Sequence, residues 1–280
     1  MTANPVPANP VPATSEPKRG GGLRSLLLLA LFAWVLRSFI VAPFSIPSGS
    51  MLPTMDIGDY LFVAKWPYGY SRFSFPLQIP SFEGRVLGHY PKRGDIVIFR
   101  PPGREGEDWV KRVIGLPGDT VEVHNGAVSL NGRPLERVAA GQAAIRVSPN
   151  SPCRVIPEAT PVVRPARDGG DDCLYPAFRE TLPGGPSYVT LDQANTPRAD
   201  EAPPVTVPDG FLFLMGDNRD DSLDSRYSPY EGGIGLVPLD HLVGRATIRF
   251  WSTDGSASWL NPVSWFTALR TDRIGRSYNQ

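Results

Sequence analysis

Residues 47–55 read Pro-Ser-Gly-Ser-Met-Leu-Pro-Thr-Met and directly follow an apolar segment of the chain. A second polar run, residues 216–226, reads Gly-Asp-Asn-Arg-Asp-Asp-Ser-Leu-Asp-Ser-Arg, and between the two runs Lys111 lies among apolar neighbours. A serine hydroxyl is a poor nucleophile until a neighbouring base takes its proton, and a desolvated lysine can be that base. The three features predict a Ser/Lys hydrolase. Their spacing is too long for local structure, so a fold must join them.

The composition limits the class of protein. The chain has 280 residues, enough for one or two domains. Its 28 basic and 28 acidic side chains cancel, which gives no electrostatic reason to expect nucleic-acid binding. With 31 prolines and 28 glycines the chain is richer in turn-forming residues than an average protein. This composition favours many turns and few long helices.

Short runs of β-branched and aromatic residues, bounded by turn residues, predict strands. They are Tyr60–Ala64, Asp95–Phe99, Thr120–His124, Ala127–Leu130, Phe211–Met215 and Ala246–Phe250. Asn125-Gly126 between the third and fourth runs predicts a type I′ hairpin. The expected fold class is mainly β. It has an antiparallel β-sheet catalytic domain with an inserted second β/loop domain, preceded by one N-terminal transmembrane helix.

The pattern divides the chain into five segments. They are a disordered cytoplasmic tail (1–22), a transmembrane anchor (23–43), the first part of the catalytic core (44–135), an inserted loop-rich domain (136–208) and the second part of the core (209–280). Within the insertion, Tyr188–Leu191 is the one predicted strand. Residues 66–92 are dense in aromatic side chains, which indicates either a loop that buries its own rings or a contact with a membrane surface.

The anchor is the apolar segment Leu23–Ala42, about as long as a helix that crosses a membrane. Basic residues precede its core, and after Arg37 the next basic residue is Lys65, which favours a cytoplasmic N-terminus. A cleavable signal peptide is the first alternative, but Arg37 interrupts the approach to a cleavage site and Pro43 disfavours cutting after Ala42. A buried core helix is the second, but no polar face marks the segment.

Lys111 is a better candidate base than any histidine. The chain has His89, His124 and His241, and none of them lies in a recognisable triad signature. On a strand, Lys111 would share a face with Trp109 and Val113. The alternative, that Lys111 is an ordinary solvated strand lysine, stays open on this pattern alone.

The run 216–226 has three interpretations. A calcium loop would place ligands at positions 1, 3, 5 and 12 of an EF-hand frame, but position 6 is Ser225 rather than glycine and Pro229 breaks the second half. The run is otherwise a solvated polar turn, or an ordered corner in which Asp224 pairs with Arg226 or Arg219. The four residues in the calcium frame are Asp220, Ser222, Asp224 and Glu231.

Four motifs in order resemble the catalytic-domain motifs of the bacterial type I signal peptidase (leader peptidase) family. They are Pro-Ser-Gly-Ser-Met-x-Pro-Thr from Pro47, Arg-Gly-Asp-Ile-Val-Ile-Phe from Arg93, Lys-Arg-Val-Ile-Gly-Leu-Pro-Gly-Asp from Lys111, and Gly-Asp-Asn-Arg-Asp-x-Ser-x-Asp-Ser-Arg from Gly216. The preceding membrane anchor also matches. The resemblance covers about residues 37–124 and 210–250, and it does not include the insertion.

The resemblance implies a role for each matching residue. Ser50 would be the nucleophile and Lys111 the general base. The Ser48 hydroxyl and the Ser50 backbone N–H would form the oxyanion hole. Ser222 would hydrogen-bond the Lys111 amine and orient it.

The resemblance also implies a structural corner and a set of substrate subsites. Asp224 would pair with Arg226 and hold the corner. The residues at subsite positions are Ile46, Met51, Met55, Trp109 and Val110. Trp109 stands where the family also uses an aliphatic or tyrosyl side chain.

Cys153 and Cys173 are the only cysteines of the chain. The anchor would place them on the outer, oxidising side of a membrane. We therefore predict a disulfide, which in the chain-entropy model is worth roughly 3 kcal/mol for a loop of about 20 residues.

By resemblance, the expected activity is removal of N-terminal signal peptides from exported preproteins after an Ala-x-Ala-like site. The expected location is the bacterial cytoplasmic (inner) membrane, single-pass, with the N-terminus cytoplasmic and the catalytic domain on the outer, periplasmic face. The partners would be preprotein signal peptides and the lipid bilayer, with no nucleic acid, no obligate protein partner, no metal and no cofactor. The rival functions are a self-cleaving repressor-type protease and a non-enzymatic envelope module.

Overall fold

The fold is known from a computed structural model, which describes residues 21–258 and 260–278. Most of the tail predicted for residues 1–22 therefore lies outside the described residues. The helices are α1 Gly21–Val35, which continues as a π-helical turn over Leu36–Ile40, α2 Pro197–Asp200 and α3 Ser264–Thr267. The strands are β1 Val41–Ser45, β2 Asp59–Ala64, β3 Ile96–Phe99, β4 Trp109–Gly115, β5 Thr120–His124, β6 Ala127–Leu130, β7 Arg133–Pro134, β8 Glu136–Arg146, β9 Val162–Pro165, β10 Asp171–Thr181, β11 Ser187–Leu191, β12 Ala202–Thr206, β13 Phe211–Met215, β14 Val237–Pro238 and β15 Leu242–Ser252.

A seven-stranded sheet forms the segment that the sequence analysis expected to be the catalytic core, in the order β1-β2-β15-β3-β4-β13-β14, and all its pairs are antiparallel. The central strand β3 shows why this sheet is covered on both faces. Ile96 and Ile98 belong to one buried cluster, whereas Val97 and Phe99 belong to another. Successive side chains of a strand point to opposite faces, so an unbroken apolar run serves two cores. The mainly β, antiparallel fold class is confirmed.

A smaller sheet, in the order β12-β5-β6-β7, adjoins the core. Its β5–β6 hairpin turns at Asn125 and Gly126, which have φ values of 49° and 71°. Type I′ turns require positive φ at both central residues. The predicted hairpin is therefore confirmed, with His124 opposite Ala127.

The insertion is more regular than the sequence indicated. Besides the predicted Tyr188–Leu191, which lies within β11, it contains β8, β9, β10 and β12. Strand β10 pairs with β8, β9 and β11, whereas β12 pairs with β5 of the core. The sequence analysis had identified only one of these strands. The others were missed because their residues do not favour strands. Strand β8 is largely exposed and contains Ala and Gly, and β10 contains Pro176. The alternating buried residues Cys173, Tyr175 and Ala177 are a signal that could have revealed β10.

The N-terminal helix is long and apolar enough to cross a membrane over Gly22–Ile40, and nearly all of it is exposed. It ends before the predicted boundaries, Ala42 for the apolar segment and Pro43 for the anchor, because residues 41–45 already pair with β2. Pro43 lacks a backbone N–H and cannot extend a helix, but it is tolerated in this edge strand.

Candidate active site

Ser50 lies in the turn that connects β1 to β2. Because Ser50 is the candidate nucleophile, we call residues 48–52 the nucleophile turn. The turn is held from below, because Met51 and Leu52 have no exposed surface. It is also held from the side, because the Ser50 carbonyl accepts a hydrogen bond from the Asn218 backbone N–H at 3.1 Å. Ser50 itself is 7% exposed, so its hydroxyl is shielded without being sealed off.

Lys111 reaches this turn from strand β4. Its Nζ lies 2.7 Å from Ser50 Oγ. Strand β4 lies between β3 and β13, so no edge admits water around the base of the side chain. Lys111 is 3% exposed, and its ammonium group lies 5.5 Å from the centre of the Trp109 ring. The structure thus brings together the two residues that the sequence singled out.

The surroundings of Lys111 favour its neutral form. Burial lowers the pKa of the Lys111 amine from 10.5 to about 8, against the opposing charge of Asp224, which raises it. A buried ammonium loses its hydration, so the uncharged amine becomes relatively more stable. A neutral amine can accept a proton from a hydroxyl within hydrogen-bond reach. The pair therefore has the distance and the proton affinity that activation of Ser50 requires.

Ser48 places a second hydroxyl beside the first. Its Oγ lies 3.5 Å from Ser50 Oγ, and Ser48 is exposed to solvent. A hydroxyl in this position can donate to an oxygen atom bound next to the nucleophile. No backbone rearrangement is needed for this, because hydroxyl rotors are free to reorient.

Asp224 is the centre of a buried corner formed by residues 216–226. Its carboxylate accepts hydrogen bonds from the Gly216 N–H at 3.0 Å and from the Ser222 hydroxyl at 2.9 Å. Two guanidinium nitrogens of Arg226 each lie 2.9 Å from it. These contacts keep the pKa of Asp224 below its ordinary value although burial opposes this. Of the three interpretations of this run, the ordered corner is the one present.

Ser222 has a different partner from the one that the resemblance implied. Its hydroxyl donates to Asp224, and among the described residues no hydrogen bond joins it to Lys111. The physical reason is that a carboxylate is a stronger acceptor than an amine that already contacts Ser50. Ser222 therefore stabilises the corner. It acts on Lys111 indirectly, through the charge of Asp224, which raises the pKa of Lys111.

The residues expected to line substrate subsites mostly lie beneath the site. Met51 and Met55 are completely buried, and Ile46 and Val110 are 3% and 7% exposed. The four belong to one hydrophobic cluster. The two methionines have no exposed surface in this structure, so their assignment to subsites stays a prediction. They form the floor below the turn, while Trp109 is partly exposed at its edge.

Comparison with known proteins identifies the family. A family model described as "Signal peptidase, peptidase S26" matches residues 21–251. The chain belongs to the signal peptidase, peptidase S26 family. It is 33% identical over 273 residues to a signal peptidase I of Rickettsia typhi, covering 91% of this chain and 92% of that protein. It is 32% identical over 265 residues to a signal peptidase I of Rickettsia akari, covering 88% and 89%.

A crystal structure of a signal peptidase I from Enterococcus faecalis V583 is also similar to this chain. The two are 25% identical, with a TM-score of 0.29, and the match covers 56% of this chain and 97% of the other. Membership of the signal peptidase family makes the chain a serine peptidase.

Sequence reasoning did not assign the residues that support this peptidase site from behind. Arg112, next to the candidate base but on the opposite face of β4, forms a buried ion pair with Asp217 at 2.6 Å. Asp217 also accepts from Thr54 Oγ1 at 2.5 Å. Gly216 leaves room for this packing, since a Cβ there would lie 2.3 Å from Ser222 Oγ and 2.5 Å from the Ser50 carbonyl oxygen. The sequence feature that could have indicated this close packing is a glycine, Gly216, directly after the predicted strand Phe211–Met215.

Two of the three histidines and several of the candidate metal ligands have other partners. His124 pairs with Glu201 on the surface, and the His241 ring bonds a backbone carbonyl. Glu231, which would be position 12 of a calcium loop, forms an ion pair with Arg198. Among the described residues, three carboxylates lie within 4.8 Å of one another, and one of them pairs with Arg137. These three are Asp192, Asp200 and Asp220.

Proposed function

We propose that this chain is a membrane-bound serine endopeptidase that uses Ser50 and Lys111 to remove N-terminal signal peptides from exported preproteins after an Ala-x-Ala-like site. The observation that carries the proposal is the buried 2.7 Å contact between Lys111 Nζ and Ser50 Oγ. Family membership supports the substrate class, since the similar proteins are signal peptidases.

The chemistry follows from the geometry. Neutral Lys111 takes the Ser50 hydroxyl proton as Oγ attacks the carbonyl carbon of the scissile peptide bond. The Ser48 hydroxyl and the Ser50 N–H stabilise the oxyanion that forms. The Lys111 ammonium then gives its proton to the leaving amine, which releases the mature protein and leaves the signal peptide as an ester on Ser50. A water molecule, deprotonated by Lys111, hydrolyses that ester and restores the hydroxyl.

The membrane helix accounts for where this chemistry would take place. Ser50 follows Ile40, the end of the span, by ten residues. At about 3.3 Å per extended residue, the distance from Ser50 to the end of the span is at most roughly 33 Å. A signal peptide that spans the bilayer presents its cleavage site at the same surface. We place the anchor in the bacterial inner membrane, with the N-terminus cytoplasmic and the catalytic domain on the periplasmic face.

Residues 66–92 supply a second membrane contact in this proposal. Phe75 stacks on Trp34 of α1 at 6.2 Å, and Tyr70 contacts Phe39 at 5.3 Å, so the segment packs against the end of the span. It buries some of its own rings, yet its apolar side chains at Leu77 and elsewhere are exposed. Exposed apolar groups beside a membrane helix favour contact with lipid.

The floor of the site supports a preference for small side chains. Because Met51 and Met55 fill the space beneath the nucleophile turn, substrate pockets next to Ser50 have little depth. An extended peptide alternates its side chains, so the first and third residues before the cut would meet the same floor. Alanine at both positions fits such shallow pockets.

The test is cleavage of a purified preprotein by the detergent-solubilised full chain, with product masses that locate the cut. Wild type should release the mature protein after an Ala-x-Ala-like sequence, and folded Ser50→Ala should release none. Equal cleavage by Ser50→Ala would reject Ser50 as the nucleophile, whereas absence of cleavage by wild type would favour a binding module.

A further inference from the structure

The nucleophile turn rests on the insertion. Leu52 is completely buried in a cluster whose other members, such as Ile145 and Tyr175, come mainly from strands β8 and β10. The floor of the turn thus belongs partly to the catalytic core, through Met51, and partly to the insertion, through Leu52. A segment that packs under a catalytic serine can determine how precisely the serine is placed.

Arg154 of the insertion lies over the same turn. A Cβ built on Gly49 would lie 3.4 Å from Arg154 Nε and 3.2 Å from Leu52 Cδ1. The Arg154 side chain therefore lies beside Gly49, which immediately precedes Ser50, and would be in van der Waals contact with any side chain there. Gly49 is buried, so this contact is part of the packing of the turn.

A closed set of polar contacts fixes Arg154 in this place. Its Nε and one terminal nitrogen lie 2.5 Å and 2.8 Å from the two carboxylate oxygens of Asp221. Asn218 Nδ2 lies 3.5 Å from Asp221 and donates to the Gly49 carbonyl at 3.1 Å. The contacts run from Arg154 through Asp221 and Asn218 back to Gly49. Because Asp221 neutralises the guanidinium, the role of Arg154 is to position the turn rather than to stabilise charge on the substrate.

The disulfide ties this arginine to the insertion sheet. Cys153 immediately precedes Arg154 and is bonded to Cys173 of β10, with the two Cα atoms 5.7 Å apart. The Arg154 backbone N–H also donates to the Tyr175 hydroxyl at 2.6 Å. Two anchors on one strand therefore hold the backbone of a residue whose side chain contacts the nucleophile turn.

We propose that Arg154 is a positioning residue for Ser50, and that the Cys153–Cys173 disulfide holds it in place, so that full activity requires the oxidised chain. The proposal rests on the function proposed above. It assigns the insertion a task in catalysis, which is to fix the nucleophile turn. A misplacement of about 1 Å at a nucleophile can cost about a hundredfold in rate.

The first test compares Arg154→Gln with the matched control Arg164→Gln, using the full chain in detergent and a preprotein substrate. Arg164 is also on the insertion and is 4.0 Å from a carboxylate, but its side chain is 58% exposed on β9. We expect Arg154→Gln to lower kcat by about tenfold to a hundredfold with KM unchanged, and Arg164→Gln to match wild type. Arg154→Lys should recover part of the rate, since it keeps one charged contact with Asp221.

Two further readouts separate positioning from a general structural effect. The rate at which a small serine-directed phosphonate labels Ser50 should fall in parallel with kcat. The acid limb of the pH profile should stay where it is in wild type, because Lys111 is untouched. If Arg154→Gln does not fold, Asp221→Asn takes its place and should give the same kcat loss. A kcat within twofold of wild type, or a loss that lies entirely in KM, would overturn the assignment.

The second test uses the disulfide. The chain has two cysteines, so a reductant such as a trialkylphosphine acts on this bond alone. Reduced wild type and Cys153→Ser/Cys173→Ser should both lose kcat several-fold, and neither treatment should lower the rate of Arg154→Gln further. Unchanged kcat after complete reduction, measured by thiol titration, would remove the disulfide from the proposal. If wild type does not cleave the preprotein, the proposed function is rejected. If wild type and Arg154→Gln cleave it equally well, only this further inference is rejected.

Discussion

Lys111 Nζ lies 2.7 Å from Ser50 Oγ, although the two residues are 61 positions apart in the chain. The contact exists because β4 is an interior strand and because the turn after β1 is clamped from beneath and behind. Burying an amine without a carboxylate in direct contact costs stability, since the ammonium loses its water. That cost lowers the proton affinity of Lys111, and the proposal that Lys111 is the base depends on it.

Replacing either member of this pair should abolish cleavage. We expect Ser50→Ala and Lys111→Ala each to reduce kcat by more than about a thousandfold, because the nucleophile and its base act as one unit. The double variant should be little worse than either single variant. Cleavage of a preprotein with an Ala-x-Ala site measures the effect, and circular dichroism verifies folding. Independent, multiplicative losses in the double variant would contradict a coupled pair.

The strands and turns of the proposed catalytic core were largely predictable from the sequence, because short segments of the chain determine them. Runs such as Ile96–Phe99 and the Asn125-Gly126 turn carry their structure in their own residues. From the residues alone the corner at Asp224 was one of three interpretations, because which carboxylate meets which arginine depends on how distant segments pack; only the family resemblance assigned Arg226 as the partner of Asp224.

The insertion and the depth of the subsites were less predictable. Strand β8 exposes most of its residues, so burial leaves little pattern in its sequence. Met51 was assigned to a subsite by position, but the turn directs it into the core. The contact of Arg154 with Gly49 has no sequence signal, since it depends on a fold that spans more than one sheet.

The pH dependence of the reaction should report Lys111. The active form is the neutral amine, so kcat/KM should fall about tenfold per pH unit below the pKa of about 8 and level off above it. A second buried lysine complicates this assignment, because burial lowers the pKa of Lys65 to about 7. We expect Lys65→Met to keep the acid limb near pH 8, measured as kcat/KM from pH 5 to pH 10. If the acid limb disappears in Lys65→Met, the limb reports the titration of Lys65 and not that of Lys111.

The Ser48 hydroxyl should contribute to the transition state rather than to binding. An oxyanion forms only as Ser50 attacks, so Ser48→Ala should lower kcat by about a hundredfold to a thousandfold with little change in KM. Ser45→Ala is the matched control, because Ser45 is an exposed serine on the adjacent strand β1. Steady-state kinetics on the same preprotein distinguish the two outcomes. A rise in KM at constant kcat would place Ser48 in substrate binding instead.

Asp224 should be a stability residue as much as a functional one. Asp224→Asn leaves the buried Arg226 guanidinium without its counter-charge, which typically costs about 3–5 kcal/mol. Ser222→Ala removes one of the hydrogen bonds to the same carboxylate and should cost about 1 kcal/mol. Both values follow from denaturant unfolding of the full chain at neutral pH.

The pH dependence of this difference checks the cause. Because the folded pKa of Asp224 is lowered, its contribution is complete above the ordinary carboxylate pKa of 3.8 and is lost as pH falls through the lower folded value. The gap in unfolding free energy between wild type and Asp224→Asn should therefore be constant near neutrality and shrink in acid. A gap that stays the same down to pH 2 would mean that packing, and not the ion pair with Arg226, accounts for the loss.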